Sequence, residues 1–266
     1  MNTSKKIIKY LAMAFALFIA ITIVAGILQG IYAMYDSFRP SNSPVTESKI
    51  SEINTTINDI NIDLFYSSLT IKKGNKLTIE TNNNKITTSE EGNKLNIKEK
   101  KHKWHKNNKY AMTITIPTDI DTLDINMGAG TLNIDTISTD KLILDLGAGS
   151  TTINNINTNR ANINTGAGSF TINKGIINDL DLDIGVGETN VAAALTGNTK
   201  IDTGVGALKL ALEGTITNYQ IKVNKGIGKV TIDNQEVKDN EVVGSGPNTI
   251  TLSGGLGDIE VQFVGR

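Results

Sequence analysis

A Gly-x-Gly triplet returns along the second half of this chain at a constant step of 19 residues. The triplets begin at Gly128, Gly147, Gly166, Gly185 and Gly204, then recur with longer gaps at Gly226 and Gly255. Their closing glycines are Gly130, Gly149, Gly168, Gly187, Gly206, Gly228 and Gly257. So strict a spacing means one structural unit stacked repeatedly on itself. Each unit carries two alternating stretches. Their apolar columns are Ile134, Ile153, Ile172 and Val191 on one side of the unit, and Leu144, Ile163, Leu182 and Ile201 on the other. Identical positions apolar in successive units imply stacking in register, each strand pairing with its counterpart about 4.8 Å away. The expected fold is all-β: a β-solenoid, like a single-stranded parallel β-helix, with coils of about 19 residues around a dry core.

The middle residue of each triplet is small or apolar (Ala129, Ala148, Ala167, Val186, Val205, Ile227, Leu256). It is expected to point into the core at a corner, where the flanking glycines permit positive φ or a close backbone approach. All fourteen triplet glycines are therefore read as structural corners. Two positions before each triplet stands an outward column of Asn126, Asp145, Asn164, Asp183 and Asp202. Asn beside Asp hydrogen-bonds along the stack and separates like charges. Asp183 and Asp202 lack that separation, and a solvated face is the preferred reading over a cation site, because Ca²⁺ takes 6–8 converging oxygens. The later units drift in length and include Pro247. This drift is read as a cap over the open end of the stack.

At the other end of the chain, Tyr10 to Tyr35 contains no charged residue. As a helix these residues span about 39 Å, enough to cross a bilayer core of about 30 Å. Lys5, Lys6 and Lys9 precede them, which places residues 1–9 in the cytoplasm as a tail and everything after the helix outside. A cleaved signal peptide has a shorter apolar core and a small-x-small site, so an uncleaved single-pass anchor in the cell membrane is expected. Residues 36–49, with Pro40 and Pro44, read as a linker, and residues 50–266 as one extracellular domain. From Ile50 to Ile116 the alternation is of period two, with turn-prone breaks such as Lys73-Gly74-Asn75. This reads as a less regular β segment ahead of the solenoid.

Charge is unevenly placed. Residues 94–109 hold seven lysines and one glutamate, whereas residues 110–266 hold 18 acids and 10 bases. Lys98, Lys100, Lys101, Lys103, Trp104, Lys106 and Lys109 form a candidate contact for an anionic surface, such as lipid headgroups or wall polymers; an inert polar loop is the bland alternative. Nucleic acid would suit the charge but lies on the wrong side of the membrane. The chain has no cysteine, which excludes disulfides, thiolate metal sites and thiol nucleophiles. His102 and His105 are the only histidines and are read as solvated rather than metal-binding.

Two stretches carry a family resemblance. One is Thr115-Ile116-Pro117-Thr118-Asp119-Ile120-Asp121-Thr122-Leu123-Asp124-Ile125, leading into Gly128-Ala129-Gly130-Thr131-Leu132-Asn133-Ile134; the other is Leu95-Asn96-Ile97-Lys98-Glu99-Lys100. They resemble the bacterial putative-adhesin family, glycine-rich repeat domains often found behind a membrane segment. The resemblance covers about residues 50–266. It implies surface adhesion, or an accessory role in an envelope-stress response, and it carries no catalytic motif.

No triplet fits a dinucleotide fingerprint, which needs a third glycine and a following helix. Calcium-binding β-roll repeats have a nine-residue period, which this chain lacks. The expectation is therefore a non-enzymatic, membrane-anchored surface protein with no cofactor, metal, nucleic acid or small-molecule substrate. Its partner would be an envelope polymer, a glycan or a membrane protein. An accessory, sensor or scaffold of an envelope-stress pathway and a self-stacking structural solenoid are the alternatives.

Overall fold

The computed structural model describes residues 49–101, 110–117 and 119–265, together with Gln29. The expected tail, the Tyr10–Tyr35 helix apart from Gln29, nearly all of the linker, His102, His105 and the segment from Lys103 to Lys109 lie outside them. Among the described residues no helix is long and apolar enough to cross a membrane.

Alternation of aliphatic and polar residues produces the N-terminal strands β1 (Lys49–Ile53), β2 (Asp59–Leu64), β3 (Ser68–Lys73), β4 (Leu77–Thr81), β5 (Ile86–Glu91), β6 (Lys94–Glu99) and β7 (Ala111–Ile116). β1 opens at Lys49, which pairs with Thr81, so the sheet begins one residue inside the expected linker. The repeats follow as β8 (Ile120–Ile134), β9 (Ile137–Ile153), β10 (Ile156–Ile172), β11 (Gly175–Asn178), β12 (Leu180–Thr196) and β13 (Asn198–Glu213). These long strands run straight through the glycine triplets, where separate short strands were expected. Parallel pairing continues across the corner, for example from Leu144↔Ile163 through Ala148↔Ala167 to Ile153↔Ile172. The ladder between β9 and β10 breaks on either side of three runs, Ile156–Thr158, Arg160–Thr165 and Ala167–Ile172. A coil therefore has two long sides meeting at the triplet and one short third side. Aliphatic residues from the three sides fill one continuous core, including Leu142, Leu144, Ile153, Ile156, Ile163, Ile172, Leu182 and Ile201. Each is worth about 1.5–3 kcal/mol relative to exposure.

Buried hydroxyls need partners. Thr139 Oγ1 donates to the Asp121 carbonyl at 2.9 Å and Thr158 Oγ1 to the Arg160 carbonyl at 3.1 Å. Thr199 Oγ1 is buried with no hydrogen-bond partner. Thr199→Val is therefore expected to stabilise the fold by about 1 kcal/mol, visible as a rise in the denaturation midpoint at unchanged m-value; a lower midpoint would show that the hydroxyl is satisfied in solution.

The ends of the stack do not follow chain order. β2 and β3 lie between β8 and the rung formed by β6 and β7. Beyond β13 the chain forms β14 (Tyr219–Asn224), β15 (Val230–Ile232), β16 (Gln235–Glu236), β17 (Val242–Val243), β18 (Asn248–Ser253) and β19 (Ile259–Val264). β13 pairs in parallel with β18 and β19, and those pair in turn with β14 and β15. The last rung in chain order, β18 with β19, is thus an inner rung, not a cap, and the rung of β14 with β15 is the outer one. The reason is geometric: the extension from Asp233 to Pro247 forms the short antiparallel strands β16 and β17, covers β15 and β14, and returns the chain to the gap. Tyr219 locks the arrangement, its ring stacked on Phe263 with centroids 5.8 Å apart. At the N-terminal end the antiparallel strands β5 and β4 cover β6 and β7.

Candidate binding edge

The triplets form one edge along the molecule. Ala129, Ala148, Ala167, Val186 and Val205 follow one another in register. Leu256 bridges Val205 and Ile227, in keeping with the displaced last rung. The glycines beside them are dictated by the rung spacing. A Cβ on Gly147 would stand 2.0 Å from the carbonyl oxygen of Gly128, and one on Gly149 1.7 Å from that of Gly130. The same approach recurs at Gly166, Gly168, Gly185, Gly187, Gly204 and Gly206, and at Gly226, Gly228, Gly255 and Gly257 of the last rungs. In every triplet only the second glycine also has positive φ, +150° at Gly149. Gly128 and Gly130 meet a looser neighbour, the Phe65-Tyr66-Ser67 corner, with Phe65 O at 3.0 Å and Ser67 O at 2.8 Å.

The middle residues do not enter the core, contrary to the expectation from their apolarity. Ala129 through Val205 are half-buried. Leu256, with a neighbour on each side, is 41% exposed, and Ile227 is 74% exposed. The glycine backbone turns the corner tightly, and the inward positions belong to the flanking residues Leu132, Thr151, Phe170, Thr189 and Leu208. A narrow cavity of about 30 Å³ runs along the corner beside Leu146, Ala148, Thr165, Ala167 and Val186.

The described root of the basic stretch, Lys98 to Lys101, lies at this same edge. β6 ends at Glu99 and β7 begins at Ala111, opposite Ser68, beside the Phe65-Tyr66-Ser67 corner of the neighbouring rung. The Phe65 and Tyr66 amides donate to the buried Glu99 carboxylate at 2.7 and 3.0 Å. Asn83 Nδ2 donates to the other Glu99 oxygen at 2.7 Å and to Ser67 Oγ at 3.0 Å. Glu99 was missed as a structural residue, although it lies in phase with the buried Leu95 and Ile97. Lys98, Lys100 and Lys101 are exposed around this root; Lys103, Trp104, Lys106 and Lys109 lie outside the described residues. At the opposite end Lys225 and Lys229 flank Ile227, with Lys225 paired to Glu236 at 3.2 Å.

Beside the edge runs the polar column. Asn164 Nδ2 donates to Asp145 Oδ1 at 2.6 Å, and one column over, Ser169 Oγ donates to Ser150 Oγ at 2.8 Å. Asp183 and Asp202 are register partners, and Lys200 donates to Asp202. Burial pushes the Asp183 carboxyl above its ordinary value, reinforced by Asp181 and Asp202, while the hydrogen bond from Lys200 holds Asp202 below its own. Among the described residues no group of three His, Cys, Asp or Glu could hold a metal ion. The raised value of Asp183 means that its ionised form is disfavoured in the fold, so the penalty is present at neutral pH and disappears as pH falls to about 3.8. Asp183→Asn is expected to stabilise by a few tenths of a kcal/mol at pH 7, and to be neutral at pH 3. A gain that persisted at pH 3 would assign the effect to something other than charge.

The molecule is thus a capped β-solenoid with one glycine-lined edge. The Toastrack DUF4097 family profile matches residues 57–226, and the chain belongs to that family. Among solved structures it is similar to a putative adhesin from Bacteroides fragilis NCTC 9343, at 16% identity and a TM-score of 0.42, over 85% of this chain and 99% of that one. It is also similar to a putative adhesin from Parabacteroides distasonis ATCC 8503, at 15% identity and a TM-score of 0.34, over 82% and 96% of the two chains. A putative cell adhesion protein from Clostridium sporogenes ATCC 15579 aligns at 13% identity and a TM-score of 0.33, over 82% and 99%. No curated protein matches the chain.

Proposed function

We propose that this is a non-enzymatic binding protein of the bacterial cell surface, held by the Tyr10–Tyr35 helix as a single-pass anchor, with its solenoid outside. The glycine edge is the contact surface. One observation carries this reading: Leu256 and Ile227 are exposed at the end of an apolar column, whereas the aliphatic residues in phase inside the coils are buried. A long straight edge of regular period suits an extended partner, an envelope polymer or glycan, or a membrane protein. The lysines from Lys98 to Lys109 would add attraction to an anionic surface.

The envelope-stress accessory reading keeps specific support from the short tether. Fourteen residues from Tyr35 to Lys49 reach at most about 50 Å, which keeps the domain beside membrane proteins. The self-stacking reading loses support, because antiparallel strands cover both ends of the stack.

The test is a pull-down with the intact protein in its own membrane. Ile227→Ser with Leu256→Ser should reduce recovery of the partner at least ten-fold at unchanged melting temperature. Equal recovery would remove the edge from the contact. Deleting the helix separates the readings: binding by the free domain supports surface adhesion, and loss of binding supports the accessory role.

A further inference from the structure

A second cavity lies away from the glycine edge, at the N-terminal end of the stack. There, among the described residues, the short third side of the coil has no rung beyond Ile120. A strap joining β1 to β2 crosses the opening and leaves a space of about 400 Å³ beneath it, within the range of small-molecule sites. Its floor is aliphatic: Ile53, Ile57, Leu77, Ile116 and Ile120. Its rim is polar, with Asn54, Thr56 and Asn75 beside the Glu52 and Lys76 pair. The charges at the rim are already matched, Lys76 to Glu52 at 2.6 Å, while Thr55 Oγ1 donates to Glu90 at 2.6 Å.

We propose that this cavity binds a single-chain lipid with an uncharged head, of the monoacylglycerol class. The aliphatic floor takes the chain. The amide and hydroxyl rim takes the head by hydrogen bonds. An anionic head would have to displace Glu52 from Lys76 and approach Glu90, so a free fatty acid is disfavoured. The cavity adjoins β1, the first strand after the tether, which brings its mouth near a bilayer; this part rests on the membrane-anchored reading.

The test uses the full chain reconstituted in zwitterionic phospholipid vesicles containing a monoacylglycerol with a diazirine in its chain. After irradiation, label is expected on peptides covering Ile53–Ile60, Asn75–Leu77 and Ile116–Ile120. Unlabelled monoacylglycerol should compete at least ten-fold better than the corresponding fatty acid. Ile57→Trp, which fills the cavity, should reduce this label at least ten-fold; Thr56→Trp at the rim gives the same reading should the first variant fail to fold. Label confined to Tyr10–Tyr35, or undiminished in both folded variants, overturns the proposal. Equal or better competition by the fatty acid overturns the assignment of an uncharged head. Cavity labelling of a protein that does not sediment with membranes would instead sink the anchor and leave the lipid site standing.

Discussion

Gly149→Ala is expected to destabilise the protein by about 3–5 kcal/mol, combining backbone strain with overpacking. At about 2–4 °C per kcal/mol for a domain of this size, the melting temperature falls by about 6–20 °C. Two features add at this position: φ is +150°, and the new Cβ would lie 1.7 Å from the Gly130 carbonyl oxygen. That oxygen belongs to the backbone of the next rung, so it cannot rotate away as a side chain would. The informative comparison is Gly128→Ala. It is the same substitution at the first glycine of the first triplet, but its Cβ would meet the Phe65 oxygen at 3.0 Å, and the expected cost is about 1 kcal/mol or less. Equal melting temperatures for the two variants would show that rung stacking does not determine the glycines.

Truncation after Gly246, which removes β18 and β19, is expected to be more damaging than loss of a frayed terminus. It strips out the buried Ile250, Leu252, Ile259 and Val261, worth about 6–12 kcal/mol of burial together, against a typical total stability of 5–15 kcal/mol. It also leaves β14 and β15 without the rung they stack on, and opens the edge of β13. Because a solenoid is held by nearest-neighbour interfaces, the N-terminal rungs should persist while the open β13 edge recruits other chains. Size-exclusion chromatography should show soluble aggregates with reduced strand content. A monomer with the full melting temperature would contradict the inner placement of the last unit.

Much of this fold was legible in the residues. Ile134, Ile153, Ile172 and Val191 recur at one step, and a recurring position in a coil has one neighbour on each side, so in-register stacking follows from the period. The Asp145 and Asn164 hydrogen bond follows from the same logic. Rung order at the ends was not legible. Leu256 shows the column it belongs to, but nothing in its local sequence distinguishes a place after Ile227 from a place between Val205 and Ile227; that is decided by where the extension from Asp233 to Pro247 returns the chain. The exposure of the triplet's middle residue was also hidden, because Ala and Val suit a core and a tight corner equally well. Glu99 was readable by its phase with Leu95 and Ile97, yet its purpose appears only once the Phe65 and Tyr66 amides and the Asn83 side chain are seen to converge on its carboxylate.

The continuity of the glycine edge rests on Leu256 lying between Val205 and Ile227. The chain has no cysteine, so introduced pairs report directly. Val205→Cys with Leu256→Cys places the two Cα atoms one rung apart, about 4.8 Å, within disulfide range. Val205→Cys with Ile227→Cys places them two rungs apart, about 9.6 Å, beyond it. Mild oxidation should cross-link the first pair within one chain and leave the second reduced. Cross-linking of the second pair and not the first would put the units in chain order and break the edge on which the binding proposal stands.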